Sequence, residues 1–560
     1  MKPPAPYRAA VVQTLAKLGD LDYNLGLVRN AVAEAAGNGA RLIVFPECMN
    51  TGYLFDSAEH AVALGEPIDG TFGSELASLA RTYDVFIASG MTELDGHTLF
   101  NSGVLFDRDG ELVVHYHKQF LATHDQNWFA VGTRGCPVAD TELGRLGLLI
   151  CFDGRIPEIA RALALQGADV IVDMANFFAM DQAEMWVPAR AYENGVWFAA
   201  ATKSGVERSI NYPGGSMIVA PDGTTRAHVA YGVHDIGYAE IDVAAARDKQ
   251  LRGYGDRFAD RRPDAYASLI APFAASRLSE TLAEPLIPER SLMKAAAVQA
   301  HTSEASTFED AMMMADHAAK LGVQLIVLPE YAAIATWKPD ATNARQEAAH
   351  FADRVTRAAT ITRRYACMMV VSSIEDRDGA LYPTAVLIGP DGDIIGRYRK
   401  VHLDQFERPW ATAGDSFPVF TSALGNVGIM LGYDGLFPES SRVMTLEGAD
   451  VIAWPCAWRH RLERTLLAVP RAADNRVYEV CANRTDAPYP GGSVAIAPGG
   501  FSLWDIDLAQ PPSARHGAVF PIHANLAASR QKFMIPNVDM VRNRLTKTYD
   551  ALVERSLVRT

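Results

Sequence analysis

A chain of 560 residues with 49% hydrophobic and 21% charged side chains is too long for one ordinary core, and its composition is that of globular domains. The net charge of −14 argues against a surface for nucleic acid or an anionic membrane, either of which needs clustered Lys and Arg. No apolar run is long enough to span a bilayer, and the opening "MKPPAPYRAAVVQ" lacks the apolar stretch and cleavage site of a signal peptide.

In chain order, "YRAAVVQ" reads as a short buried strand and "NLGLVRNAVAEAAGNGA" as a helix with apolar residues at helical spacing. "RLIVFPE" follows as a second strand, stopped by Pro46. "YDVFIASGMTEL", "TLFNSGVLF" and "ELVVHYHK" read as consecutive strands, the last two joined at "DRDG", which predicts a mixed sheet with helices outside, an α/β layered fold. The segment "GLLICFDGRIPEIARALALQGADVIV" (147–172) then returns as "GIMLGYDGLFPESSRVMTLEGADVIA" (428–453), with Gly432 where the first copy has Cys151.

The opening recurs as well, as "MKAAAVQ", "FEDAMMMADHAAKLGVQ" and "LIVLPE", and "DRRPDAYASL" (260–269) is echoed by "RNRLTKTYDAL" (542–552), setting Tyr266 against Tyr549. Such a repeat divides the chain into domains at 1–273 and 292–560, joined by a polar, proline-bearing linker at 274–291. The run Met312–Met314 lies on a repeat helix and reads as core packing. Six cysteines (Cys48, Cys136, Cys151, Cys367, Cys456, Cys481) show no paired spacing and no C-x-x-C, which fits reduced thiols in a cytoplasm better than a disulfide framework or a zinc site.

Three polar residues end apolar strands in the first copy: Glu47 after "LIVFP", Lys118 in "VVHYHK" and Cys151 after "LGLLI". Their counterparts are Glu330, Lys400 and Gly432, offset by 283, 282 and 281 residues. A charge ending a buried strand is costly unless it is paired or faces a cleft, so the set predicts convergence on one pocket. There Glu deprotonates a thiol, Lys stabilises developing negative charge, and Cys attacks a carbonyl or nitrile carbon. The helix starting near Pro157 is expected to favour thiolate at Cys151 and to present the Phe152 N–H as an oxyanion donor.

The blocks "VFPECMNTGY", "HYHKQFL" and "ICFDGRIPEIAR", in this order and repeated in the second half, resemble the nitrilase (carbon–nitrogen hydrolase) superfamily over nearly the whole chain. The resemblance implies a four-layer αββα sandwich in each half. It also implies Glu47 as general base, Lys118 as stabiliser of the tetrahedral intermediate and Cys151 as nucleophile, with no metal or organic cofactor required. The family's second glutamate falls at Asp125 in the first half and at Glu407 in the second, so the half that keeps the thiol has the shorter carboxylate. Tyr53, Trp128, Phe152, Asn176 and Phe177 are expected to line the substrate pocket; each is equally readable as a core residue. Units of this family pair face to face, so the fusion is expected to form an internal pseudo-dimer whose second unit is structural, with further homo-oligomerisation left open.

"CFDGRIPE" resembles the "C-x-D-x-x-x-P-E" of amidases and N-carbamoyl hydrolases more than the "C-W-E-N" of nitrilases, which makes a small amide the expected substrate, then a carbamoyl compound, then a nitrile. Acyl transfer to an amine stays open, as does a scaffold or ligand-binding pseudoenzyme, although the intact Glu47, Lys118 and Cys151 count against the latter. Glu158 and Arg161 recur as Glu439 and Arg442 in the copy without a thiol and are therefore read as structural, as is Cys456. His124, beside Asp125, is read as a solvated loop residue.

Overall fold

The computed structural model of the chain describes residues 3–284, 292–301, 308–336, 338–486, 488–500, 502–505 and 518–555. Residues 285–291 of the expected linker lie outside them; its earlier part carries a helix, Arg277–Ala283. The chain forms two compact units. One comprises Met1–Lys249 with Ile535–Asp539 and Asn543–Thr560, the other Gln250–Met534 with Met540–Arg542.

Residues 3–249 of the first unit form fourteen strands: β1 (Tyr7–Gln13), β2 (Ala40–Val44), β3 (Phe86–Asp95), β4 (Thr98–Phe106), β5 (Leu112–His117), β6 (Val138–Thr141), β7 (Gly144–Leu149), β8 (Val170–Ala175), β9 (Trp197–Thr202), β10 (Ser204–Glu207), β11 (Ile210–Pro213), β12 (Met217–Val219), β13 (Thr225–His228) and β14 (Asp235–Ile241). Two six-stranded sheets run in the orders β14-β1-β2-β3-β4-β5 and β13-β12-β9-β8-β7-β6, with β10-β11 a separate hairpin. Strands β1, β2 and β3 are parallel, while β3-β4-β5 and β1-β14 are antiparallel, so the sheet is mixed as the sequence predicts.

The sheets face each other through β2 and β3 against β8 and β1 against β9. Helix Leu21–Gly37 is capped by the Asp20 side chain, which accepts from Tyr23 N, and buries Leu25, Val28, Val32 and Ala35. These join Phe72, Leu76 and Ala80 of helix Thr71–Tyr83 on the outer face of the first sheet. Helices Pro157–Leu165 and Val187–Asn194 cover the second sheet, completing a four-layer αββα sandwich. One glycine is fixed by close approach: a Cβ on Gly90 of β3 would lie 2.5 Å from Glu47 Cα.

The second unit repeats both sheets, with strands Leu292–Gln299, Leu325–Val327, Met368–Arg377, Ala380–Ile388, Ile394–Arg399 and Ala518–Asn525 in one and Val419–Ser422, Gly425–Ile429, Val451–Pro455, Tyr478–Ala482, Val494–Ile496 and Ser502–Asp505 in the other. Met312 lies in its core with Met314 packed against it, but Met313 is 43% exposed, so that run is not wholly interior.

Unit membership does not follow sequence order at the tails. In the first unit Arg544 pairs with Glu158 at 3.0 Å, and in the second Arg261 pairs with Glu439 at 2.9 Å, all four side chains being buried. The echoed tyrosines are buried beside them: Tyr549 OH accepts from Leu545 N at 3.3 Å, and Tyr266 OH accepts from Arg262 N at 3.1 Å. The glutamates thus anchor the two echoed segments, 260–269 and 542–552. Among the described residues no helix is long and apolar enough to cross a membrane, and all six cysteines are free and buried.

Candidate active site

Cys151 stands where β7 ends, at φ +51°, and opens a 3-10 turn, Cys151–Arg155, that leads into helix Pro157–Leu165. That sharp strand-to-helix corner is a strained conformation for a residue with a Cβ. It is held from several sides. Asp173 Oδ1 of β8 accepts from Cys151 N at 2.7 Å, Gln182 Nε2 donates to Cys151 O, and the Cys151 thiol donates to Asn176 O at 3.6 Å.

Glu47 leaves β2 through Pro46, and Lys118 follows β5 directly. Lys118 Nζ lies 2.7 Å from Glu47 Oε1 and 2.7 Å from Asp125 Oδ2, with all three side chains buried. The shorter Asp125 therefore reaches the lysine; Glu407 does the same to Lys400 in the second unit, also at 2.7 Å. Asn101 of β4 donates to Glu47 Oε1 at 2.6 Å and to Asp125 Oδ1 at 3.4 Å, and Tyr53 OH donates to Asp125 Oδ1 at 2.8 Å.

The electrostatics follow from burial and these contacts. Burial works against the Lys118 charge, but the Asp125 and Glu47 carboxylates more than offset it and hold its pKa well above the usual lysine value. Burial raises Glu47, Lys118 opposes, Asp125 adds to the rise, and the net direction is upward. Burial and then the Glu47 charge push the Cys151 thiol well above its usual range, with Lys118 opposing. Burial and the Glu47 charge thus favour the thiol at Cys151, the direction opposite to the thiolate expected from the helix start. Asp153, which accepts from Tyr116 OH at 2.7 Å and Phe120 N at 2.7 Å, is pushed by burial to about 6.

Of the expected lining residues, Tyr53 is tied to Asp125, while Phe152 stacks on Phe120 with ring centroids 5.5 Å apart. Phe177 is fully buried and its N–H donates to Thr202 Oγ1 at 2.9 Å. Trp128 packs edge-on against Phe55 and is stacked by His124, which is thus not merely solvated. Asn176 is fully buried, yet among the described residues neither Oδ1 nor Nδ2 has a hydrogen-bond partner, and the same lack holds for Glu47 Oε2, Trp128 Nε1 and Tyr212 OH.

Sequence reading missed Asn101, Asp173 and Gln182. A signal for them exists in the repeat, because Asn101 aligns with Pro383, Asp173 with Trp454 and Gln182 with Glu463. The second unit keeps the charged frame, Lys400 Nζ lying 2.8 Å from Glu330 Oε1 and Tyr331 OH donating to Glu407 Oε1 at 2.6 Å. Gly432 takes the corner at φ +35°, its carbonyl accepting from Trp454 Nε1 at 3.1 Å. Cys456 is buried, with its thiol donating to Trp454 O at 3.0 Å.

The family profile described as "Carbon-nitrogen hydrolase" matches residues 8–250 and again 294–507. The chain is 35% identical over 260 residues to a protein named "Nitrilase" from Pyrococcus abyssi, a match covering 46% of this chain and 98% of that one. It is 33% identical over 274 residues to an "(R)-stereoselective amidase" from a Pseudomonas species, covering 46% and 97%. A crystal structure of an amidase from Nesterenkonia sp. aligns at 27% identity and a TM-score of 0.39, over 44% of this chain and 93% of that one. With one profile matched twice over most of its length, the chain belongs to the carbon–nitrogen hydrolase (nitrilase) superfamily, as a tandem duplication.

Proposed function

We propose that the first unit is an amidase that works through a Cys151 thioester, and that the second unit, with Gly432 at the corresponding corner, has no nucleophile. The observation that carries this reading is the buried Lys118 bridging Glu47 and Asp125, in a unit whose strand-to-helix corner holds a thiol. Cys151 attacks the amide carbon while Glu47 takes the thiol proton, which its raised basicity favours. Lys118 Nζ and the Phe152 N–H hold the oxyanion. Nitrogen leaves with a proton from Glu47, and Glu47 then activates the water that cleaves the thioester.

Among the described residues, Glu47 Oε2 and Asn176 Oδ1 are buried acceptors without a hydrogen-bond partner. Such atoms want a donor, which an amide or ureido N–H supplies and a nitrile does not. This supports an amide or N-carbamoyl substrate, in keeping with relatives named "(R)-stereoselective amidase" and, at 27% identity, "Citrullinase". Tyr53, Trp128, Phe152 and Phe177 would enclose the acyl group.

The test is ammonia release from a panel of primary amides, N-carbamoyl amino acids and nitriles, with and without an added amine to detect acyl transfer. Amide turnover that vanishes in Cys151→Ala is the expected result; full turnover by that variant would refute the reading. A Cys151 that shows no selective labelling by a thiol reagent, together with no turnover of any panel member, would favour a binding role instead.

A further inference from the structure

We propose that the first unit carries a divalent-cation site, of zinc type, built from Glu93 of β3 and His115 and His117 of β5. Three ligand atoms converge there. His115 Nε2 lies 2.8 Å from Glu93 Oε2, His117 Nε2 lies 2.9 Å from the same oxygen, and the two nitrogens are 3.0 Å apart. A tetrahedral zinc with bonds of about 2.0–2.2 Å spaces its ligands by roughly 3.3 Å, so these atoms need to open only slightly to accept it. Two nitrogens and one carboxylate oxygen are also a donor set that such ions take.

The surroundings hold the trio in place. His117 stacks on Phe100 at 3.9 Å, and the Ser102 hydroxyl donates to Glu93 Oε2, the contact a ligating carboxylate receives from its outer partners. His117 and Glu93 are buried, whereas His115 keeps 16% of its side chain exposed on β5, the edge strand of its sheet, which leaves an entry path. Among the described residues this is the one group of His, Cys, Asp or Glu side chains with metal-binding spacing.

The repeat supplies the independent argument. Glu93 aligns with Glu375, and the two histidines align with Arg397 and Arg399. In the second unit Arg397 Nη1 lies 2.5 Å and Arg399 Nη2 2.9 Å from the Glu375 carboxylate, so two guanidinium charges face one carboxylate. Imidazoles that ligate an ion through Nε2 are neutral, so the exchange removes both positive charges, and a bound divalent cation restores the same balance. In the first unit the exposed Arg134 donates Nε to His117 Nε2 at 3.3 Å, and a bound ion must displace it.

The site is structural, not catalytic. Strand alternation puts the trio on the face of the sheet opposite Asn101 and Tyr116, whose side chains reach the candidate active site. An ion there ties β3 to β5, the strand that ends at Lys118.

The test uses the full chain stripped with a chelator, then titrated with cobalt(II) or zinc chloride. The expected result is one equivalent bound per chain, with visible cobalt d–d absorption and a raised melting temperature. The variant H115R/H117R, which copies the pairing of the second unit, should fold and lose that equivalent, and H115Q, altered only at the exposed edge, should bind at least several-fold more weakly. Arg134→Ala should bind more tightly, because it frees His117 Nε2. No uptake by the stripped wild-type chain, or equal uptake by H115R/H117R and H115Q, would overturn the proposal.

Discussion

Glu330 occupies the space that any side chain at position 432 would need: a Cβ built on Gly432 lies 2.0 Å from Glu330 Oε2. The glutamate holds that place through Lys400, and burial pushes its pKa to about 7. Restoring a cysteine is therefore not a simple reversal. Gly432→Cys must drive Glu330 off Lys400, and overpacking of this kind costs about 1–3 kcal/mol. We expect no second reactive thiol in labelling experiments, unchanged amide turnover, and a lower denaturation midpoint. A variant with doubled turnover per chain would show the second pocket to be intact apart from its nucleophile.

Asn101 is a positioning residue for the proposed base, since its amide nitrogen donates to Glu47 Oε1 and Asp125 Oδ1 while its oxygen accepts from the Cys48 thiol at 3.8 Å. Asn101→Ala removes a fixed donor from the buried Glu47 carboxylate. We expect kcat to fall on the order of 10²-fold with KM little changed, the size of effect that misplacement of a reacting group brings. A fall in kcat/KM that comes wholly from KM would instead make Asn101 a substrate contact.

The parts of the site legible in sequence are those where a polar residue interrupts an apolar run: Glu47, Lys118 and Cys151 each end a strand, and the repeat aligns two of them with charged partners. Asn101 and Asp173 were hidden because a polar side chain within a strand looks like ordinary alternation, and only their exchange for Pro383 and Trp454 marks them. The reach of Asp125 could not be judged from side-chain length, because the backbone of its loop brings the carboxylate to 2.7 Å from Lys118. The layered α/β fold was readable from strand and helix periodicity. The anchoring of Glu158 by Arg544, 386 residues away, leaves no periodic trace at all.

The proposed chemistry requires Glu47 as carboxylate and Cys151 as thiol. Because burial and the Asp125 charge raise Glu47, kcat/KM should fall as the pH drops through a midpoint above the ordinary glutamate value. Asp125→Asn removes a negative neighbour and should shift that acid limb to lower pH, whatever it does to the maximum rate. The linkage with stability has the opposite sense: a carboxyl with a raised folded-state pKa favours the fold at low pH, and that contribution is lost as pH rises through it. Profiles of kcat/KM against pH for both proteins are the measurement. A limb that stays in place in Asp125→Asn would assign it to another group.

Arg544 is the prediction with the largest expected effect on stability. Its guanidinium lies 3.0 Å from Glu158 Oε1 with both side chains buried, and Tyr549 of the same terminal segment is buried too. Removing one partner of a buried pair strands the other charge and costs about 3–5 kcal/mol, whereas replacing both with neutral groups of similar volume costs far less. Arg544→Ala should therefore lower the urea midpoint strongly, and the double variant E158Q/R544M should recover much of the loss. A protein of residues 1–290 lacks Arg544 altogether, so it should be unstable even with every proposed catalytic residue present. Urea denaturation of the three proteins decides it: an Arg544→Ala unfolding free energy within about 0.5 kcal/mol of wild type, the range of an ordinary surface change, would mean the tail is not what holds Glu158.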